Sequence, residues 1–262
     1  MKKLVCITVL TCGALAFAQR PSEQDTMALV EKARQKALAY TQSLPDFVAT
    51  EMIHRFAGSM AEGLGGHPVD TLTIQLRYLQ HKEDHKLMLI DGKPTGRTFE
   101  TLEGTVASGE FGATLSAIFD PATQTAFHWK SWKNLRGRRV AGLGYEVTGP
   151  QSHYRLGTRA DGRTVAADAG YHGVLEIDCE TAELLHLEYV SDHIPESLHL
   201  TYACTKVDYA LADIAGRNYL LPSRSELEMR GPTAWARNVI EFRDYRRFSV
   251  DSRILGDRLR NP

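Results

Sequence analysis

The sequence predicts an α+β chain in which one strongly curved antiparallel sheet wraps around helical covers. Three observations predict it. One long amphipathic helical run stands near the start. Short runs of period-two hydrophobic alternation, separated by turn residues, then fill most of the remaining length. A single short helical run interrupts them.

The first helix reads from Ser22 to Leu44. Ser22 with Asp25 gives a capping-box-like start. Met27, Val30, Ala33, Ala37, Tyr40 and Leu44 recur at helical spacing as one narrow apolar stripe, so the helix should lie on something. Pro45 ends it, because the residue before a proline disfavours the α conformation.

Strands come next. "DFVATEMIHRF" is the first, and the Gly-rich loop "AGSMAEGLGGHP" succeeds it. In "VDTLTIQLRYLQ", Leu72, Ile74, Leu76 and Tyr78 alternate with polar neighbours. "HKEDH" reads as a charged, solvated hairpin tip, and "KLMLI" as a short strand closed by the turn pair Asp91-Gly92. Eight later runs, from "TAFHWKSW" to "ARNVIEFRDYRRF", continue one long antiparallel sheet. "KLMLI" and "ELLHLEYV" look apolar on both faces, which predicts that parts of both sheet faces are covered. In "RRVAGLGYEVT", Gly142 and Gly144 lie opposite the face of Ala141, Leu143, Tyr145 and Val147, and mark a close approach of another backbone or a ligand.

The segment "GTVASGEFGATLSAIFD", Gly104 to Asp120, begins like a phosphate-binding loop but lacks its Lys-Ser/Thr ending. Glu110 and Phe111 follow Gly109, and a carboxylate there repels phosphate. The segment reads instead as a glycine-hinged approach to a short helix, with Phe111, Leu115, Ile118 and Phe119 on one face and Asp120-Pro121 as its stop.

Residues 1–18 read as a secretory signal: Lys2 and Lys3, an apolar centre from Leu4 to Leu15, and Ala16-Phe17-Ala18 before a cut at Gln19. A lipid anchor at Cys12 in "VLTC" is disfavoured by Thr11 and by the short apolar centre it would leave. Residues 19–262 then form one domain, with the formal charge moving from −1 to −3 as two lysines leave. There is no basic excess to suggest nucleic acid, and no later segment is apolar enough to span a bilayer. The mature chain keeps Cys179 and Cys204, as a possible disulfide or as two separate core thiols.

Catalytic and metal patterns are weak. No serine sits in a G-x-S-x-G elbow. Asp178 and Glu180 flank Cys179 and oppose a thiolate. His81 and His85 lack the Glu that a zincin needs, since Lys82 takes its place. No cofactor or metal is expected, and the reading is non-enzymatic. The basic run Arg136, Arg138 and Arg139 is either solvated or a contact for lipid phosphate.

The stretches "GVLEIDCETAELLHLEYVSDHIP", "KVDYALADIAGRNYLLPSRSELEMR" and "NVIEFRDYRRFSVDSRI" resemble the LolA/LppX-like periplasmic superfamily, which includes the first domain of RseB/MucB-type sensors. Ser108 to Pro121 and Leu135 to Val140 are similar to segments of an exported subgroup typical of Acidobacteria. The resemblance runs from about Pro45 to Ile254. It implies an open, incomplete antiparallel β-barrel with the N-terminal helix and the short helix on its concave face. It also implies a periplasmic protein that shelters a lipid or lipoprotein acyl chain in an apolar cavity, or a sensor that binds a peptide or protein partner. No ligand contact of the family is carried over. On this reading the candidate lining residues are Phe111, Leu115, Ile118 and Phe119, with Phe127 and Trp129 from the neighbouring strand and Trp132 pointing the other way.

Overall fold

The structure is a computed structural model that describes residues 20–98, 101–102, 111, 113–135, 137–152, 154–160 and 163–248. The signal segment, Gly104 to Glu110, Gly112 and Arg136 lie outside the described residues.

Helix α1 spans Glu23–Ser43, and Ser22 caps it as expected, accepting from the Asp25 backbone N–H at 3.0 Å. Thirteen strands among the described residues come after it. They are β1 (Phe47–Ser59), β2 (His67–Leu79), β3 (Lys82–Ile90), β4 (Lys93–Pro94), β5 (Ala126–Leu135), β6 (Arg138–Val147), β7 (Arg155–Ala160), β8 (Arg163–Asp168), β9 (Gly170–Asp178), β10 (Leu184–Asp192), β11 (Tyr202–Ile214), β12 (Arg217–Arg230) and β13 (Ala234–Arg247). Helix α2, Ala113–Phe119, lies between β4 and β5. Eleven strands form one antiparallel sheet in the order β4-β3-β2-β1-β13-β12-β11-β10-β9-β6-β5, and β7-β8 is a separate hairpin. Because β4 and β5 end the order without pairing, the barrel stays open.

The helices cover one face, and the buried side chains there form two main clusters. Val30, Ala33 and Ala37 of α1 join Leu115, Ile118 and Phe119 of α2 over Leu143, Leu175, Leu187 and Val207. At the other end of α1, Leu44 and the half-buried Tyr40 join Phe47, Leu72, Ile74, Leu76 and Ile240. A smaller cluster under the β7-β8 hairpin holds Leu156, Ala203, Leu227 and Met229.

The opposite, convex face is not covered by any described element. Cross-strand ion pairs line it, including Lys206–Glu188 at 3.4 Å, His186–Asp208 at 2.6 Å and Lys133–Glu176. The double-faced apolar look of β10 comes from a bulge: Leu184 opposes Ile177 and His186 opposes Glu176, so Leu185 is an extra residue and both leucines are buried. Met88 is the equivalent extra residue in β3. Lys82 to His85 also belong to β3, and the turn is Gln80-His81, both with positive φ as a two-residue hairpin requires. The strand β8 had no counterpart among the expected runs.

The glycines mark close approaches, and the visitors are side chains and backbone of this chain. A Cβ at Gly144 would meet the His128 ring at 2.1 Å, and one at Gly142 would meet Ser131 Oγ at 2.7 Å. The loop after β1 wraps Trp235 of β13: a Cβ at Gly66, whose φ is +38°, would lie 2.1 Å from the indole, and Trp235 Nε1 donates to the Gly63 carbonyl at 2.9 Å. Gly173 is the tightest of all. A Cβ there would stand 1.8 Å from the Glu188 carbonyl oxygen, the same oxygen that accepts from the Tyr145 hydroxyl at 3.0 Å.

Gly173→Ala should therefore destabilise the fold by about 3 kcal/mol in urea denaturation, because backbone cannot yield as a side chain can. Gly157→Ala is the control: its Cβ would rest 3.5 Å from Ala166 Cβ, an ordinary contact, and should cost nothing measurable.

Candidate functional site

Between α1, α2 and the concave side of the sheet lies a cleft of about 300 Å³. Its size follows from α1. The buried stripe of that helix presents Ala33 and Ala37, one turn apart, where larger residues would reach the sheet. Leu115 and Phe119 of α2 form one wall, and Ile177, Leu184, Tyr209 and Leu220 of the sheet form the other. Lys36, Ser43, Glu183 and Asn218 are its polar lining residues. Tyr40 also lines it, edge-on to Tyr209 at 6.4 Å between ring centroids. Its hydroxyl is buried without a hydrogen-bond partner among the described residues, and burial holds the phenol well above its ordinary pKa. At neutral pH the hydroxyl therefore keeps its proton and can donate to a guest.

Leu115 and Phe119 are the two expected lining residues that border this cleft. Ile118 is wholly buried in the adjoining cluster. Phe127 stacks on Phe119 at 5.5 Å. Trp129 packs at the edge of that cluster. Phe111 precedes α2 rather than sharing its face, and it sits in the other cluster against Phe47 at 5.5 Å and Phe242 at 5.4 Å. Trp132 does not point away from Trp129. A bulge after Trp129 restores it to the same face, opposite Ala141, and the two indoles meet at 4.4 Å. Sequence reasoning missed the α1 wall; the signal was the Ala33/Ala37 spacing inside an otherwise bulky stripe.

Below the cleft, the concave face is filled. Tyr145, Tyr154, Tyr171 and Tyr189 pack edge to face, with centroids 5.4 to 6.2 Å apart. Two wider hollows lie elsewhere. One of about 370 Å³ sits where β12 parts from β13, and one of about 530 Å³ has charged walls that include Asp168, His172 and Asp192.

Cys179 and Cys204 are free. Cys204 pairs with Val190 at one end of β10, while Asp178, next to Cys179, bonds Glu183 beyond the other end. About six strand residues separate the two ends, roughly 20 Å, too far for a disulfide. Burial pushes both thiols up, as befits packing residues. Asp178 has a structural task. Its carboxylate accepts from the Glu180 and Thr181 N–H groups at 2.9 and 2.8 Å and from Arg138 Nε at 2.6 Å. Burial alone would raise its pKa, but these donors together hold it below the usual range. The basic run is therefore not simply solvated: Arg138 is paired, and Arg139 lies over the Trp132 ring at 3.9 Å.

The second cluster contains a polar insert. Glu51 of β1 is 3 % exposed on the concave face, and His85 Nε2 lies 3.5 Å from its carboxylate. His85 is thus partly buried inside the fold rather than at a solvated tip. Glu83 lies 4.0 Å from the same nitrogen. Among the described residues no group of three or more His, Cys, Asp or Glu side chains is placed to hold a metal ion.

No family model matches the chain, and no curated protein matches it. Among solved structures it is similar to a LolA superfamily protein from Nitrosomonas europaea, at 11% identity over 87% of this chain and 96% of that one, with a TM-score of 0.39. It is also similar to a domain designated outer membrane lipoprotein-sorting protein from Vibrio parahaemolyticus, at 14% identity over 92% and 100%, with a TM-score of 0.37. A DUF1329 family protein from Desulfovibrio piger matches at 9% identity over 86% and 93%, with a TM-score of 0.39. The first bears the name of the superfamily that the sequence resembles; a subgroup typical of Acidobacteria has no counterpart among these three. The likenesses are too distant to inform the site. No helix among the described residues is long and apolar enough to cross a membrane.

Burial outweighs the nearby Asp84 carboxylate and lowers the pKa of His85. The unfolded chain then takes up a proton near pH 6.5 that the folded chain refuses, so this contribution to stability is present above that pH and lost as pH falls below it. Between pH 7 and pH 5, the wild type should lose more Tm than His85→Gln does, as measured by thermal circular dichroism.

Proposed function

We propose that the chain is an exported binding protein that shelters an acyl chain, as a lipid or a lipoprotein anchor, in the cleft under α1. The cleft itself is the observation that carries this reading: an apolar hollow of about 300 Å³ between two helices and an open sheet. Each CH₂ moved from water into such a space gains about 0.8 kcal/mol, so a dozen methylenes supply a driving force that water cannot match. Sheet pairing does not involve α1 or α2. The helices can therefore shift over the hollow without breaking a ladder, which gives a bulky guest a way in. The free, raised-pKa cysteines fit a binding role rather than thiol catalysis.

Organic extraction of the purified chain followed by mass spectrometry should recover acyl-chain compounds. Ala37→Phe fills the hollow from α1 and should cut the recovered material at least about tenfold while leaving Tm unchanged or higher. Ala33→Leu provides a milder filling of the same wall. Recovery of a protein partner with no lipid in either preparation would favour the sensor reading instead.

A further inference from the structure

The chemistry at the cleft mouth specifies more than an acyl chain. We propose that its guest is a single-chain amphiphile with an anionic headgroup, the tail lying under Ala33 and Ala37 and the head meeting Lys36. This assignment rests on the acyl-binding reading above.

Charge at the cleft is the first argument. Lys36 lines the cleft, is exposed, and has no ion-pair partner among the described residues. Lys32, also exposed, stands one turn earlier on the same helix face. Glu183 is the sole carboxylate among the described lining residues, and it is already engaged by Thr181 Oγ1 at 2.9 Å and Arg138 Nη2 at 3.4 Å. Where the sheet pairs a cation, the partner is an acid, as at Arg55–Asp70 and Lys206–Glu188. Lys36 is an ammonium without an ion pair, among the described residues, at the border of an apolar hollow, and a negative group on a guest would complete it.

Hydrogen bonding is the second argument. Asn218 is exposed at the start of β12; its side chain makes no hydrogen bond within the described residues and carries two amide donors. Donors from α1 and from β12 thus line the same cleft. Size is the third. About 300 Å³ is at the bottom of the range of small-molecule sites, roughly 300 to 1,000 Å³, which suits one chain rather than two or three. The shared headgroup chemistry is an oxyanion, as a carboxylate on a fatty acid or a phosphate on a single-chain phospholipid.

The test titrates the full chain with dodecanoate, dodecyl phosphate, 1-dodecanol and dodecyltrimethylammonium, each below its self-association concentration. At least one of the two anions should bind about fivefold tighter than the alcohol, the increment of one partly exposed ion pair, and the cation should bind most weakly. Lys36→Glu should erase that order and Lys36→Arg should keep it. Preference for dodecanoate alone would assign a fatty acid, and preference for dodecyl phosphate alone a phospholipid; both support the proposal. If dodecanol binds as tightly as both anions, or the anion preference survives Lys36→Glu with Tm unchanged, the headgroup assignment is overturned. If none of the four probes binds, the acyl-binding reading fails with it.

Discussion

An open sheet must hide one broad apolar face, and here that burden falls on a single helix. α1 contributes to both main clusters, through Val30, Ala33 and Ala37 in one and Tyr40 and Leu44 in the other. Its two ends therefore tie together halves of the sheet that β4 and β5 never join. The cleft is a by-product of how this is done. A helix with leucines at positions 33 and 37 would fill the space, whereas alanines leave it open beneath the second half of α1. Stability and vacancy thus draw on the same stripe, so any substitution that improves the packing there shrinks the room for a guest.

The fold was legible where local rules dominate. Ser22 caps α1, Pro45 comes just past its end, and Asp91-Gly92 turns between β3 and β4 with both φ values positive. Bulges limited the rest. Period-two reading assumes that every residue advances the pleat by one step, and extra residues near Met88, Lys130 and Leu185 each reverse the parity of the strand beyond them. That is why period-two counting puts Trp132 on the wrong face and makes β10 look apolar on both. Long-range partners were equally hidden. Nothing local to "HKEDH" says that His85 will lie beside Glu51, thirty-odd residues earlier, nor that Arg138 will clamp the turn after Asp178. Of the site, the α2 wall was readable from its apolar run, but the α1 wall depends on which residues are small, and smallness has meaning only once the opposing surface is known.

Pro222 shows how the sheet tolerates a residue that central strands exclude. β12 pairs with β13 only from Arg224 onward, so before that point it pairs with β11 alone. The proline sits at the parting, beside a bulge between Asp208 and Tyr209, where no ladder donor is required. The Tyr245 hydroxyl then crosses the gap to the Pro222 carbonyl at 2.6 Å. Beyond it, the β11-β12 tip stands between the two clusters: Leu220 packs against the first, and Tyr219 and Leu221 belong with the second. The same tip supplies Asn218 to the cleft, so a hairpin end whose β12 side pairs with β11 alone also borders the cleft.

The three tryptophans divide between two optical environments. Trp235, 4 % exposed and wrapped by Gly58, Gly63 and Gly66, is a dry indole with a fixed hydrogen bond, which sets its emission toward the blue. Trp129 and Trp132, 4.4 Å apart on the free edge strand with Arg139 over one ring, form a coupled, half-wetted chromophore pair. The molecule thus carries one spectroscopic reporter in the β1-β13 region and a different one at the β5 edge, and loosening at either place leaves its own signature in light.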